Sequence, residues 1–305
     1  MPRFQKRLTF STTRVSVGDA LEAVVRERLK AVRFYLGRLH KEAKPAVETV
    51  HQLRVWSRRA TAAVDLFRSV GDDGPWRKLR KRLKKLRRAA GEVRDWDVLV
   101  ERIVSDEQFG KRIRGQLDRE RAAARERLSA AVRDGEKIFA PEKLQDLQKK
   151  VQKAPNSAGR RSFRRFMTER LVALVERFRE CGEDDLQSPD ILHEFRIAGK
   201  ELRYALEIAL AVFPSKGAER LYAELTELQD ELGVVCDHRA AAEQFTALAK
   251  RFSGAETKKV FRQAARRERA AGAAGTEQFL GRWTSEARLS WAARCDKLLT
   301  AGKPR

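Results

Sequence analysis

Residues 51–67 read HQLRVWSRRATAAVDLF, and residues 193–209 read HEFRIAGKELRYALEIA. Each stretch opens with a histidine, has arginine three residues later, and has a second cation four residues after that. On a helical wheel the apolar side chains of each stretch lie opposite its histidine, while the histidine and the cations share one side. Both stretches are therefore predicted to be amphipathic helices that carry a basic row: His51, Arg54 and Arg58 in the first, and His193, Arg196, Lys200 and Arg203 in the second.

The similarity of the two stretches extends along the chain at a constant shift of 142 residues. Three leucines at 79, 83 and 86 fall on leucines at 221, 225 and 228, and a Gly-x-Val-x-Asp segment at 91–95 falls on another at 233–237. A match of this kind over many positions indicates an internal repeat. We therefore predict a duplicated helical bundle, with its two copies related by a pseudo-two-fold axis.

Almost every segment has apolar residues at three- and four-residue spacing, which predicts helix. The fold is therefore predicted to be all-α, with two tandem bundles of about four helices each, over 17–153 and 154–305, after an N-terminal tail of residues 1–16. Only residues 3–10 suggest a strand. The predicted helices cover residues 17–40, 47–69, 76–90, 95–104, 107–133, 162–180, 189–212, 218–232, 255–271 and 276–299.

A second, narrower apolar stripe flanks each basic row: Val55, Ala62 and Leu66 in one copy, and Ile197, Tyr204 and Ile208 in the other. A helix with two apolar stripes packs on more than one side. We therefore expect the basic rows to lie in a central basic groove between helices, where limited water strengthens contacts with phosphate.

The chain has 66 lysines and arginines against 43 acidic residues, a formal net charge of +23. This excess predicts a polyanionic partner, such as nucleic acid, an acidic membrane or a phosphate polymer. Three scattered cysteines without CxxC spacing fit a reduced compartment. The sequence shows neither a signal peptide nor an apolar run of about 20 residues that could cross a bilayer. We therefore expect a soluble cytoplasmic protein that does not bind membranes.

Residues 77–88, RKLRKRLKKLRR, contain nine cations and three leucines. The leucines form one seam for docking on the bundle, and so many uncompensated charges on one helix favour an anionic partner. This helix follows the His51 helix after a short turn and should pack antiparallel to it. Four of its cations are expected to extend the basic row of the His51 helix, namely Lys78, Arg82, Lys85 and Arg88. The matching residues 219–232 are acidic, so we expect the first half to bind more strongly.

The histidines could instead belong to a metal or acid–base site. Neighbouring cations repel a metal ion, and the acids three residues before each histidine, Glu48 and Asp190, fit better as charges that offset the helix dipole. The sequence shows no phosphate-binding glycine loop and no nucleophile–base arrangement. We predict no catalytic group, no metal ligands and no cofactor. Two rivals stay open: a nucleic-acid-binding helical protein, although readers of RNA and single strands usually interleave aromatic residues with their cations, and a phosphoanhydride hydrolase.

The two His-x-x-Arg-x-x-x-Arg/Lys segments, the LRY at 202–204 and GEVRDWDVL at 91–99 resemble the CHAD family, the conserved histidine α-helical domain. The resemblance covers most of the chain and implies one domain of two four-helix bundles around a basic groove that binds inorganic polyphosphate, often at polyphosphate granules. Thr61 and Glu201 depart from the family's basic pattern, and the ExExK strand of an attached triphosphatase is not found. Further candidate contacts are Arg28, Arg33, Arg59, Arg161, Arg165 and Tyr204.

Overall fold

The computed structural model describes residues 4–12, 14–42, 45–70, 72–104, 110–140, 142 and 157–301. These residues form an all-α fold, as predicted, and residues 4–10 form no strand. The helices are α1 Val17–Lys41, α2 Val47–Phe67, α3 Asp73–Val104, α4 Lys111–Ile138, α5 Phe163–Glu183, α6 Pro189–Ala209, α7 Lys216–Arg251, α8 Ala255–Arg282 and α9 Ser285–Ala301, with a single turn at Ser157–Arg160. The chain divides into two compact units, Met1–Phe166 and Met167–Arg305. The bundle boundary expected at 153/154 lies outside the described residues.

The first unit is a ring of four helices. Helix α1 packs on α2 and α4, and α3 packs on the same two neighbours, which is the arrangement of a four-helix bundle. Helix α1 begins at Ser16, whose side chain accepts a hydrogen bond from the Asp19 backbone N–H at 3.1 Å. This cap satisfies one of the free donors in the first turn. Fully buried side chains such as Leu36, Leu53 and Trp76 fill the interior.

Helix α3 is one continuous helix, whereas the sequence analysis predicted two segments, 76–90 and 95–104. The leucine seam is buried as expected: Leu79, Leu83 and Leu86 are at most 5% exposed. The helix continues through Gly91 because this glycine lies against α2 and is itself buried. Further along, the carboxylate of Asp97 is 5% exposed and accepts a hydrogen bond from Arg121 of α4 at 2.6 Å, which holds α3 to α4.

The second unit is organised around α7, which packs on α6, α8 and α9. Helix α7 extends well beyond the predicted end at residue 232 because its C-terminal part is covered by α8. The two helices are joined at Gly254, whose φ of 106° is a backbone conformation that suits glycine. An aromatic cluster gathers side chains from α5, α6, α8, α9 and the α8–α9 connection: Phe178, Phe195, Phe279, Trp283 and Trp291.

Helix α8 ends at Arg282, later than the predicted break between 271 and 276. Gly272 and Gly275 lie within this helix on the side that faces α7, and a Cβ atom at Gly275 would be 3.0 Å from Cγ2 of Val235. The next helix, α9, begins after Thr284, whose hydroxyl accepts a hydrogen bond from the Ala287 backbone N–H at 3.2 Å. The chain therefore breaks where a capping side chain is available.

Candidate functional site

The basic row of α2 has the orientation that its sequence predicts. Leu53, Trp56, Ala60, Ala63, Val64 and Phe67 are buried in the first unit. On the other side of the helix, His51, Arg54 and Arg58 are half-buried. Their partial burial follows from packing against α3, and it removes some of the water that would otherwise screen their charges.

Two contacts fix how α2 and α3 align. Near one end of the pair, a Cβ atom on Gly91 would lie 3.5 Å from Nε of Arg54. Near the other end, Arg80 forms an ion pair with Asp65. The two helices are therefore antiparallel, as predicted, and the residues of α3 that lie alongside the α2 row are Lys84, Arg87 and Arg94. We call the set His51, Arg54, Arg58, Lys84, Arg87 and Arg94 the first basic row; all six are half-buried.

Partial burial and neighbouring cations both lower pKa values in the first basic row. Burial lowers the pKa of His51, and the nearby charges of Arg94, Arg54 and Arg58 lower it further against the opposing effect of Glu48. Burial also lowers the pKa of Lys84, and its neighbour Arg80 adds to that effect. Burial is the largest cause of both shifts and the neighbouring cations add to it, so an anion that enters the row would raise both pKa values and relieve the repulsion among the cations.

Three members of this row are not predicted from the sequence. The charge pattern predicts Lys78, Arg82, Lys85 and Arg88 beside the α2 cations, but all four are exposed. Lys85 lies instead on the α4 side of α3, where its Nζ is 2.9 Å from the Asp134 carboxylate. The α3 residues alongside α2 are Lys84, Arg87 and Arg94. The first two belong to the charged run that the sequence analysis had singled out, but Arg94 lies beyond it, in the GEVRDWD segment.

In the second unit, α6 and α7 are aligned in the same way as α2 and α3 in the first. Nη2 of Arg196 would be 3.3 Å from a Cβ atom on Gly233, and the Tyr222 hydroxyl donates to the Glu207 carboxylate at 3.2 Å. These two pairs are the Arg54–Gly91 and Asp65–Arg80 pairs shifted by 142 residues. In each Gly-x-Val-x-Asp segment the glycine lies against the arginine of the facing helix, and the valine is buried, at 0% exposure for Val93 and 6% for Val235.

The second basic row consists of His193, Arg196, Lys200 and Arg203. His193 is exposed and the other three are half-buried. The guanidinium of Arg203 lies 4.5 Å from the ring centre of Tyr204, and its buried Nε atom has no hydrogen-bond acceptor among the described residues. Asp190, which the sequence placed near His193, forms an ion pair with Arg239 of α7 at 2.6 Å.

The first and second basic rows differ most in the residues that the facing helix contributes, α3 in the first unit and α7 in the second. The cations that α3 places alongside α2, together with Arg80, correspond to uncharged residues on α7: Arg80, Lys84, Arg87 and Arg94 fall on Tyr222, Thr226, Gln229 and Cys236. Burial raises the pKa of the Cys236 thiol, and Arg196 and Lys200 act in the opposite direction, which locates the thiol beside the second row. The backbone arrangement is thus repeated, but the charge that lines it is not.

The further candidate contacts predicted from the sequence differ in how exposed their side chains are. Arg28 is 1% exposed and donates to the Val24 carbonyl at 3.3 Å. Arg59 is 6% exposed, with its guanidinium 5.2 Å from the ring centre of Trp56, so both side chains contribute to packing. Tyr204 is also buried. Arg33, Arg161 and Arg165 are exposed.

The other two histidines have a different environment. Nδ1 of His40 lies 3.1 Å from the Glu136 carboxylate, and Nδ1 of His238 lies 2.7 Å from that of Glu268. His51, in contrast, is surrounded mainly by arginines. Within the described ranges, no three His, Cys, Asp or Glu side chains converge as metal ligands. What the first basic row offers is a line of N–H donors, most of them permanently charged, which suits binding of an oxyanion chain.

Comparisons with known proteins agree with this architecture. A search of curated proteins gives no match. The crystal structure of the CHAD domain from the plant Ricinus communis superposes with a TM-score of 0.70 at 23% identity, over 90% of this chain and 96% of that one. PptA from Streptomyces chartreusis superposes with a TM-score of 0.57 at 21% identity, over 87% of this chain and 99% of that one. These superpositions show a shared fold.

No helix in the described part of the chain is long and apolar enough to cross a membrane. The family model for the CHAD domain matches residues 23–246, a range that includes both histidine helices and both Gly-x-Val-x-Asp segments. The chain is a member of the CHAD domain family.

Proposed function

We propose that this protein binds inorganic polyphosphate along the first basic row, with the second basic row as a weaker contact. The observation that carries the proposal is the alignment of six half-buried cationic or imidazole side chains across two antiparallel helices. Side chains one helical turn apart are separated by about 5.4 Å along the axis. A linear phosphate chain lying along the helices can therefore meet successive donors.

The chemistry of the row favours phosphate chains over nucleic acid. Arginine forks form paired, charge-assisted hydrogen bonds with phosphate oxygens. Readers of single strands add aromatic faces on which bases stack, whereas Trp56 and Phe67 on α2 are 3% and 0% exposed and face the core. The CHAD family is itself associated with polyphosphate and triphosphate binding.

We also propose that the protein binds its ligand without hydrolysing it. Enzymes that cleave phosphoanhydrides commonly position a divalent metal with carboxylates. In the first basic row the nearest acids serve other partners: Glu48 accepts a hydrogen bond from Gln52 at 2.7 Å, and Asp65 pairs with Arg80. Phosphate release from polyphosphate should stay at the background rate with Mg²⁺ or Mn²⁺. Release that is abolished by His51→Ala would overturn this part of the proposal.

A competition titration tests the ligand. Labelled long-chain polyphosphate bound to the protein would be displaced with unlabelled polyphosphate, single-stranded DNA, RNA or double-stranded DNA at one fixed salt concentration. We expect polyphosphate to compete best. Nucleic acid that displaces the label more effectively would support a nucleic-acid-binding protein and reject the proposal.

A pair of matched variants tests the site. Arg54→Ala/Arg58→Ala removes two arginines from the first basic row, and Arg119→Ala/Arg133→Ala removes two exposed arginines from α4. Loss of charge-assisted hydrogen bonds should weaken polyphosphate binding by about tenfold or more in the first variant, and only slightly in the second. Equal losses would show that net charge alone governs binding.

In cells that store polyphosphate, the same binding would direct this protein to polyphosphate granules. A fluorescent fusion should co-localise with the granules, and the Arg54→Ala/Arg58→Ala fusion should be diffuse. A variant fusion that stays on the granules would show that another surface is responsible for the localisation.

A further inference from the structure

A cationic cleft lies between the C-terminal part of α7 and the N-terminal half of α8, outside both basic rows. Its volume is about 470 Å³. Five of its eight lining residues are cations and none is acidic; the cations are Lys250, Lys258, Arg262, Arg266 and Arg269. We call this region the α7–α8 cleft.

The spacing of these residues explains why their charges converge. The four α8 cations follow one another at intervals of four, four and three residues, which places them on one face of the helix. Helix α7 runs antiparallel to α8, because the turn at Gly254 joins them, and it contributes Lys250 to the same opening. Arg269 is oriented by a hydrogen bond from its Nη2 to the Thr246 hydroxyl at 2.7 Å. The buried Ala249 and Ala265 add an apolar lining.

The α7–α8 cleft is separate from the second basic row. Helix α6 meets α7 at Arg239, through the pair with Asp190, and at Gly233, beside Arg196. Thr246, the lining residue of α7 nearest to Gly233, is 13 residues beyond it on the same helix. At 1.5 Å per residue that distance is about 20 Å, so one short ligand cannot contact Arg196 and also occupy the cleft.

The size and composition of the cleft indicate the class of ligand. A cavity of this volume lies at the small end of the range for ligand sites. Its lining contains arginine forks and lysine ammonium groups but no aromatic side chain on which a base could stack. We propose that the α7–α8 cleft is a second, independent binding site for a short oligophosphate, such as inorganic triphosphate or the triphosphate group of a nucleotide.

Calorimetric titration with inorganic tripolyphosphate tests this proposal. The variant Lys258→Ala/Arg266→Ala removes two cations that line the cleft. Its matched control, Lys259→Ala/Arg267→Ala, shifts each change by one residue along α8, to exposed positions that do not line the cleft. We expect the first variant to lose one binding site, or to weaken it by about tenfold or more, and the control to keep that site. Equal titrations for the two variants would overturn the proposal.

Hydrogen exchange locates the bound ligand. Tripolyphosphate should slow backbone exchange over residues 246–269 in the wild-type protein and not in Lys258→Ala/Arg266→Ala; protection that persists in this variant would also overturn the proposal. Repeating the titration with ATP, free of divalent metal, separates the two ligand sources. An ATP affinity equal to that of tripolyphosphate shows that the cleft contacts only the phosphate groups. A higher affinity for ATP identifies a nucleotide as the ligand. The Arg54→Ala/Arg58→Ala variant should keep the cleft site, so failure of the first basic row and failure of the cleft are distinguishable.

Discussion

His51 illustrates how one residue of the first basic row can make binding depend on pH. Its pKa lies below the usual value of 6.5 because of burial and then because of the arginines around it, with Glu48 opposing them. A bound polyphosphate adds negative charge and raises that pKa, so binding takes up a proton. Affinity should therefore increase as pH falls below about 6.5, until the free protein is itself protonated.

The measurement is the polyphosphate dissociation constant between pH 8 and pH 5 for the wild type and for His51→Gln, which cannot gain the charge. The wild type should gain up to about tenfold in affinity over this range, the effect of one charge-assisted hydrogen bond, and the variant should gain less. Stability should change in the opposite direction: with the folded-state pKa lowered, unfolding takes up a proton, so the His51 contribution to the free energy of unfolding is lost as pH falls through this window. Equal pH profiles for the two proteins would exclude this role for His51.

Two glycines in helices predict opposite effects of the same substitution. A Cβ atom at Gly199 of α6 would be 2.2 Å from Nε2 of Gln229 and 3.0 Å from Cε2 of Phe178, and both of these side chains are buried. Gly199→Ala should therefore destabilise the protein by about 1–3 kcal/mol. A Cβ atom at Gly37 of α1 meets nothing within 4 Å, so Gly37→Ala should stabilise by up to about 1 kcal/mol. Urea unfolding curves give both values. A Gly199→Ala variant that is no less stable than the wild type would contradict the packing around Gly199, and a destabilised Gly37→Ala variant would contradict the open space beside Gly37.

At the scale of a helix, α3 shows what the sequence could and could not predict. The leucine seam correctly identified the side of α3 that faces the core, because burial follows hydrophobic periodicity. A seam does not say which of its two flanks lies against α2 and which against α4. The handedness of the bundle decides which flank faces which helix, and the sequence of one helix does not determine that handedness. The charge pattern therefore predicts Lys85, which pairs with Asp134 of α4, and does not predict Arg94.

The ends of helices were predicted less well for a related reason. Gly91, Gly272 and Gly275 are poor helix formers in isolation, yet each lies within a continuous helix and faces the neighbouring one, most closely at Gly275, where a Cβ atom would be 3.0 Å from Val235. Those contacts involve residues far away in the sequence. The histidine helices were predicted more accurately, since their apolar faces and basic rows follow from local periodicity.

The two flanks of α3 can be separated by experiment. Lys84→Ala/Arg87→Ala removes a lysine and an arginine from the flank against α2, and Lys78→Ala/Arg82→Ala removes the same residue types from exposed positions. Polyphosphate affinity should fall by about tenfold or more in the first variant, where the cations are partly desolvated, and by less in the second. The original sequence-based assignment of Lys78 and Arg82 to the site would be favoured if the second variant lost more affinity.

At the scale of the whole molecule, the two units repeat the pairing of a histidine helix with a facing helix, but they do not repeat the cations on that facing helix. Both units align an arginine with a glycine of the facing helix, so both can support a basic row. Only α3 adds cations at the facing positions, where α7 has Tyr222, Thr226, Gln229 and Cys236. A duplicated scaffold can thus diverge by surface substitution without a change in packing, and in this chain the first unit has kept or gained the charge.

This asymmetry predicts a difference in salt dependence between variants of the two rows. Binding of a cationic protein to a polyanion releases counterions, and for single-stranded nucleic acid each phosphate contact contributes about −0.7 to the slope of log K against log salt concentration. By analogy, Arg54→Ala/Arg58→Ala should make the slope for polyphosphate shallower by about 1.4. Arg196→Ala/Lys200→Ala should change it less, because fewer cations line the second basic row. The slopes come from titrations between about 50 and 200 mM salt, and a larger change for the second pair would place the stronger contact in the second unit.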